Sequence, residues 1–146
     1  MATAVETKGL APDSARVFVD QIKVTFPNGE IDHGKYVKLI DELTGNDPDD
    51  LIHLAAAIAG HVDVIMTNNV DDFVNATIPF SYRRPAIMRP DEYFLALVEE
   101  GLGADLRAIT IDMARRCTSP PMAWDEVLDR LGVVGLRSTI QRLRSS

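Results

Sequence analysis

Apolar and polar positions along the chain predict alternating helices and short strands. Apolar residues recur at i, i+3, i+4 and i+7 after Pro12, which predicts an amphipathic helix starting there. The turn-forming residues 26–29 end it. Residues 30–31 predict a very short strand, and residues 36–43 predict a second short helix.

The most informative pattern is the predicted helix over residues 47–60. Asp47 suits the cap position and Pro48 the first helical position, and two further aspartates fall in the first turn. The rest of the segment is apolar on nearly every side, which predicts a buried helix, and Gly60 ends it.

Two strand patterns follow this helix. The β-branched run at residues 62–67 predicts a buried strand and is followed by the polar cluster 68–72. Residues 85–89 predict another strand, and a helix starts at Pro90. Beyond the glycine-containing segment 101–103, three more helices are predicted, over residues 105–117, 122–131 and 134–143. The predicted architecture is therefore an α/β domain over residues 1–100 with a helical C-terminal extension over residues 101–146.

A predicted helix is followed along the chain by a predicted strand, and this order predicts where the acidic side chains meet. A crossover helix runs antiparallel to the parallel strands that it covers, so its amino end lies at the edge where the strands end. Asp49 and Asp50 open the predicted helix, while Asn69, Asp71 and Asp72 follow the predicted strand. Carboxylates gathered at one edge repel one another unless a cation neutralises them, and oxygen ligands favour Mg²⁺ or Mn²⁺. Such a site can activate water for phosphodiester cleavage.

A purely structural interpretation of these acids is also open. Residues 47–50 can act only as a helix cap with acids that the helix dipole favours, and residues 68–72 only as a solvated loop.

Composition narrows the class of protein. The chain has 146 residues, 46% of them hydrophobic and 25% charged, which is the balance of one folded domain and excludes extended disorder. Cys117 is the single cysteine, so no internal disulfide can form. Residues 1–10 lack the apolar core of a signal peptide, and the most apolar stretch, residues 51–66, contains polar interruptions. We therefore expect a cytoplasmic protein without membrane contact.

Charge is distributed unevenly along the chain. The net charge is −7, yet residues 1–78 contain 13 acids and 5 basic residues, whereas the 10 basic residues of 79–146 are all arginine. This acidity argues against a nucleic-acid coat protein but not against an enzyme that binds RNA locally. Arg83, Arg84 and the C-terminal arginines are candidates for phosphate contacts, although a solvated surface explains them equally well.

Three segments, taken in order, resemble the C-terminal half of a PIN domain. The subgroup they are most similar to comprises toxin components of toxin–antitoxin systems. The segments are residues 46–59 (NDPDDLIHLAAAIA), 63–73 (DVIMTNNVDDF) and 90–95 (PDEYFL). Residues 119–121, 124–128 and 135–136 resemble the helical tail of the same subgroup, so the likeness covers most of residues 9–144.

The resemblance implies a Mg²⁺- or Mn²⁺-dependent endoribonuclease with its acids at the carboxyl edge of a parallel sheet. By this resemblance the metal ligands are Asp49, Asp50, Asn69 and Asp72, and the catalytic residues are Asp50, Asn69 and Asp72 together with Thr67, which would orient the loop or a metal-bound water. The implied reaction is in-line attack of metal-activated water on an RNA phosphodiester. The implied partners are an RNA substrate and an antitoxin protein.

The chain departs from the family pattern at its start. A complete PIN domain begins with a strand ending in Asp, followed by helices that carry a second acid, and residues 1–10 do not resemble that strand. We therefore expect the missing N-terminal half to come from a separate chain, or a homodimer to cover the open sheet edge. The alternative function is a non-catalytic PIN remnant that serves in interaction or oligomerisation.

Overall fold

The computed structural model describes residues 12–145 and gives a mixed α/β fold that is mostly helical. The predictions made for residues 1–10 lie outside this range. The elements, in chain order, are α1 (Pro12–Thr25), α2 (His33–Ile40), α3 (Pro48–Ala59), β1 (Val64–Met66), α4 (Val70–Asn75), β2 (Ala86–Met88), α5 (Pro90–Leu97), the wide turn Val98–Leu102, α6 (Gly103–Arg116), α7 (Trp124–Val133) and α8 (Arg137–Ser145).

Helix α3 forms as its sequence predicts. The Asp47 carboxylate accepts a hydrogen bond of 2.9 Å from the backbone N–H of Asp49, which satisfies a donor that the helix itself leaves free. Gly60 ends the helix, and His61 follows in the left-handed region at φ 53°. The N–H groups of His61 and Val62 then donate to carbonyls of the last turn, which closes the helix.

A two-stranded parallel sheet lies behind α3. Strand β1 pairs with β2, with Ile65 opposite Ile87 at the centre of the register. The predicted strands are present but shorter, and Met66 is 49% exposed, so the prediction of a buried strand is wrong at this end. The first core lies between the sheet and helices α2, α3 and α4; its buried members are Leu39, Leu43, Leu54, Ala55, Ile58, Phe73 and Ala76.

Two local predictions are corrected. Residues 30–31 form no strand. The polar cluster 68–72 is not only a loop, because helix α4 begins inside it. This helix has six residues, too few to show a helical period, and it depends on tertiary contacts: Phe73 is buried in the first core, and Arg84 donates to backbone carbonyls of the last turn of α4 and of Ala76.

The C-terminal helices pack around a second core. Its buried members are Val98, Leu128, Ile140 and Leu143. Helix α5 continues through the wide turn into α6, and Gly101, at φ 101°, bends the chain within that turn. The three helices predicted after residue 101 are present as α6, α7 and α8, while the domain division at residue 100 stays a prediction. Within residues 12–145, no helix is both long and apolar enough to cross a bilayer.

Asp91 joins α8 to α5. Its carboxylate accepts hydrogen bonds from the backbone N–H groups of Ser138 (3.0 Å) and Thr139 (2.9 Å), and from the Thr139 hydroxyl (2.8 Å). A residue 47 positions away in the chain thus caps the start of α8. Burial alone would raise the pKa of Asp91, but these hydrogen bonds to Thr139 and Ser138 hold it below the usual value of an aspartate.

Asp91→Ala is expected to lower the free energy of unfolding by about 1–2 kcal/mol, because α8 loses its cap. The pKa of Asp91 is lower in the folded state than in the unfolded state. The cap therefore stabilises the fold fully at a pH above the unfolded-state pKa, and this stabilisation is lost as the pH falls through the folded-state pKa of Asp91. Urea unfolding at pH 7 and pH 3 measures both effects. Glu99→Ala, at an exposed acid of the wide turn, is the control, and an equal loss in both variants would contradict the capping role.

Candidate functional site

The carboxyl ends of both strands and the amino end of α3 meet at one edge of the sheet. The backbone N–H of Thr67, just after β1, donates to the Met88 carbonyl at the end of β2 over 2.9 Å. Asp50 lies in the first turn of α3 at the same edge. The first turn of α3 and the residues that follow β1 are therefore neighbours in space.

Asn69 connects the two acidic segments. Its side-chain Nδ2 donates to Asp50 Oδ2 over 3.0 Å and to Asp72 Oδ2 over 2.6 Å. Asp50 is half-buried on α3, and Asp72 is half-buried in the first turn of α4. Two carboxylates from separate segments of the chain thus lie against the same amide group, which holds them side by side.

The remaining predicted site residues differ in their positions. Thr67 Oγ1 accepts from the backbone N–H of Asn69 over 3.0 Å, so its hydroxyl contacts the loop that carries Asn69. Asp49 is exposed, and its carboxylate makes no hydrogen bond to the Asn69 group. Asp71 is also exposed. The structure therefore brings together Asp50, Asn69 and Asp72, with Thr67 supporting the loop, and leaves Asp49 at the margin.

The site raises the pKa of Asp50. The largest cause is burial of the carboxyl group, followed by the negative charges of Asp47 and Asp72 and, to a smaller extent, Asp49, while His53 acts in the opposite direction. Carboxylates held together in this way are more favourable protonated or next to a positive charge than ionised alone. A positive charge next to the first turn of α3 would therefore be energetically favourable.

The ligand atoms present here suit a divalent cation that keeps several water ligands better than one that is coordinated by protein atoms alone. In the part of the chain that the structure describes, no three His, Cys, Asp or Glu side chains are grouped to hold a metal ion. Asp50 and Asp72 supply two carboxylates, and the Asn69 amide carries an oxygen besides the nitrogen that now donates. Mg²⁺ is commonly held by one or two carboxylates while it keeps several waters, so these residues suit it or Mn²⁺.

An arginine that the sequence pattern did not single out lies at the same edge. Arg89, directly after β2, donates from Nη1 to the Asn68 carbonyl over 3.0 Å, next to Asn69. The arginines that were singled out are engaged elsewhere: Arg83 pairs with Asp63 (2.9 Å) at the opposite end of the strands, and Arg84 holds α4. Pairing of the strand ends could have indicated Arg89, because residues after parallel strands share an edge.

No protein-family model, curated protein or solved structure matches this chain.

Asp72→Asn is expected to move the pKa of Asp50 down toward the ordinary value of an aspartate. The substitution removes one of the charges that raise it while keeping an oxygen for the bond from Asn69. Carboxyl ¹³C NMR titration measures the change. Asp71→Asn removes the same charge from the next, exposed position and is expected to leave the pKa of Asp50 nearly unchanged. Equal shifts in both variants would contradict the geometry described here.

Proposed function

We propose that the chain is a PIN-type, metal-dependent endoribonuclease, or the C-terminal half of one, acting as the toxin of a toxin–antitoxin pair. The observation that carries the proposal is the Asn69 amide, which lies within hydrogen-bond distance of both Asp50 and Asp72. A further support is the likeness of residues 46–59, 63–73 and 90–95 to that family. The proposed setting is the cytoplasm, with an RNA substrate and an antitoxin protein as partners.

In the proposed reaction, the cation and the side chains of the protein have separate roles. Mg²⁺ or Mn²⁺, when bound, supplies positive charge that lowers the pKa of water and offsets the charge of a phosphate. Asp50 and Asp72 would hold the cation, and Asp49 would add negative charge nearby. Asn69 keeps the two carboxylates in position, and Thr67 fixes the loop that carries Asn69.

Arg89 gives the proposed site a group for the substrate. Its guanidinium uses Nη1 to donate to Asn68, and it makes no ion pair with any residue of 12–145. The other guanidinium N–H groups are therefore available to an RNA phosphate beside the acids. The positive charge of Arg89 also offsets the negative charge of the neighbouring carboxylates, which would otherwise repel RNA.

Asp50→Asn and Asp72→Asn are each expected to lower Mn²⁺-dependent RNA cleavage at least about 100-fold, because either change removes one of the two carboxylates that contact the Asn69 amide among the described residues. The substrate is a mixed pool of single-stranded RNA, analysed by gel electrophoresis with and without EDTA. If a separate chain supplies the remaining acids, the assay is run with that chain present.

The matched control is Asp71→Asn, which changes the same charge at an exposed position beside Asp72. It is expected to keep cleavage within about twofold of the unchanged chain, since surface substitutions away from a site have small effects. Cleavage that survives in Asp50→Asn and Asp72→Asn, or that disappears equally in Asp71→Asn, would reject the proposed site.

A second candidate function, oligomerisation of a non-catalytic chain, is favoured by exposed apolar surface. Val17, Phe18 and Ile22 of α1 are each more than two-fifths exposed, and so is Phe26 in the turn that follows. Among the described residues, β1 pairs on one side only, and Met66 at its end is 49% exposed. Apolar helix faces and open strand edges of this kind are commonly covered by another chain, here proposed to be a second copy.

The unchanged chain is expected to sediment as a dimer, and the double variant Phe18→Ser, Ile22→Ser to weaken that dimer at least about tenfold, because two exposed apolar side chains are removed. Sedimentation equilibrium over a range of concentrations measures both. Gln21→Ser, on the same helix, is the control and leaves the dimer intact. A monomer of 16.1 kDa that unfolds cooperatively would reject this second candidate.

A further inference from the structure

A groove runs between helices α7 and α8. It has a volume of about 300 Å³, and its buried lining residues, Leu128 and Ile140, belong to the second core. The other residues that line it are polar or lack a side chain; they are Asp129, Gly132, Arg137, Gln141 and Arg144. The groove therefore presents charged and amide groups above a well-packed part of the protein.

The sequences of the two helices explain the form of the groove. On α8, Arg137, Gln141 and Arg144 are spaced at i, i+4 and i+7, so they share one face of the helix along its length. On α7, Gly132 has no side chain, and a Cβ atom added there would lie in open space. A row of long polar side chains therefore lies beside a gap that a glycine leaves in the neighbouring helix.

Arg137 carries the unmatched charge of the groove. The Arg144 guanidinium donates to Asp129 Oδ1 over 2.6 Å, so the charges of these two residues offset each other. Arg137 is exposed, and its guanidinium makes no hydrogen bond or ion pair within residues 12–145. The Gln141 amide also makes no side-chain hydrogen bond to the described residues. The groove thus has a net positive charge, a guanidinium that can bind a phosphate and an amide that can bind a base.

One end of the groove lies near the acidic edge of the sheet. Arg137 directly precedes Ser138, whose backbone N–H donates to Asp91, and Asp91 comes two residues after Arg89. Bond lengths along this path keep the Cα atoms of Arg89 and Arg137 within about 20 Å of each other. At about 3.4 Å per stacked nucleotide, roughly six nucleotides of one strand cover that distance. The acids between the two arginines already accept from backbone N–H groups, Asp91 from α8 and Glu92 from Arg89.

We propose that the groove between α7 and α8 binds the part of a single-stranded RNA substrate that extends beyond the cleaved phosphodiester, an inference that rests on the ribonuclease function proposed above. Arg137 binds a phosphate at the entrance of the groove, and the strand continues past Gln141 over the gap at Gly132. Arg89 binds the strand between the groove and the acidic edge. Single-stranded RNA suits this surface because its unpaired bases leave their edges free to bond to an amide such as that of Gln141.

Binding is measured apart from cleavage. The full chain is titrated in EDTA into a fluorescein-labelled single-stranded RNA of about twelve nucleotides, and the fluorescence anisotropy is followed. Arg137→Ala is expected to weaken binding about fivefold and to lower the slope of log affinity against log salt concentration by about 1, because one phosphate contact is lost. Arg142→Ala removes the same charge from an exposed position of α8 outside the groove and is expected to change neither quantity.

Gly132 allows a second pair of variants. Gly132→Glu places a carboxylate in the groove and is expected to weaken RNA binding at least about tenfold, whereas Gly132→Ala adds one methyl group in open space and stays within about twofold. Circular dichroism verifies that each variant folds. Equal loss in Arg137→Ala and Arg142→Ala, unchanged binding in Gly132→Glu, or binding of polyglutamate as tight as that of RNA would each overturn the proposal.

The two proposals fail in different ways. RNA cleavage that requires Asp50 but has the same KM in Gly132→Glu would reject the groove and leave the ribonuclease function standing. RNA binding that requires Arg137 and Gly132, in a chain that cleaves no RNA with Mn²⁺, would reject the ribonuclease function and leave the groove as an RNA-binding surface.

Discussion

The parallel pairing of β1 with β2 is the constraint on which the arrangement of this protein depends. Because the strands run in the same direction, the residues that follow them emerge at one edge, where Thr67 donates to the Met88 carbonyl. Helix α3 runs back across the sheet and brings its first turn, with Asp50, to the same edge. The contact of Asn69 with Asp50 and Asp72 then requires only a short loop.

The grouping of acidic side chains at this edge works against the stability of the folded protein. Asp50 is partly removed from water beside Asp47 and Asp72, and its raised pKa records that the ionised form is disfavoured in the folded protein. The Asn69 amide offsets part of this by donating to both carboxylates, and the buried core behind α3 supplies the remaining stability. Functional sites typically hold charges that repel one another next to a well-packed core. The repulsion lowers the stability of the fold at the site, and the core compensates for it.

Residues 89–92 join the two halves of the protein. Arg89 donates to the Asn68 carbonyl on the site side, Glu92 accepts from the Arg89 backbone N–H, and Asp91 caps α8 on the other side. One turn of chain at the start of α5 therefore contacts both the acidic edge and the C-terminal helices. The second core is joined to the sheet through this segment and through the wide turn that follows α5.

The sequence alone determined the elements whose signals are local. The cap at Asp47, the end of α3 at Gly60, the two strand segments and the three C-terminal helices follow from cap chemistry and hydrophobic period, which act within a few residues. The meeting of Asp50 with Asp72 could also be predicted, because chain direction in a parallel sheet limits where strand ends lie. Only the tertiary structure decided the formation of the short helix α4, the position of Arg89 and the distant cap of α8 by Asp91. These features arise from contacts between residues far apart in the chain, and no pattern of neighbouring residues contains them.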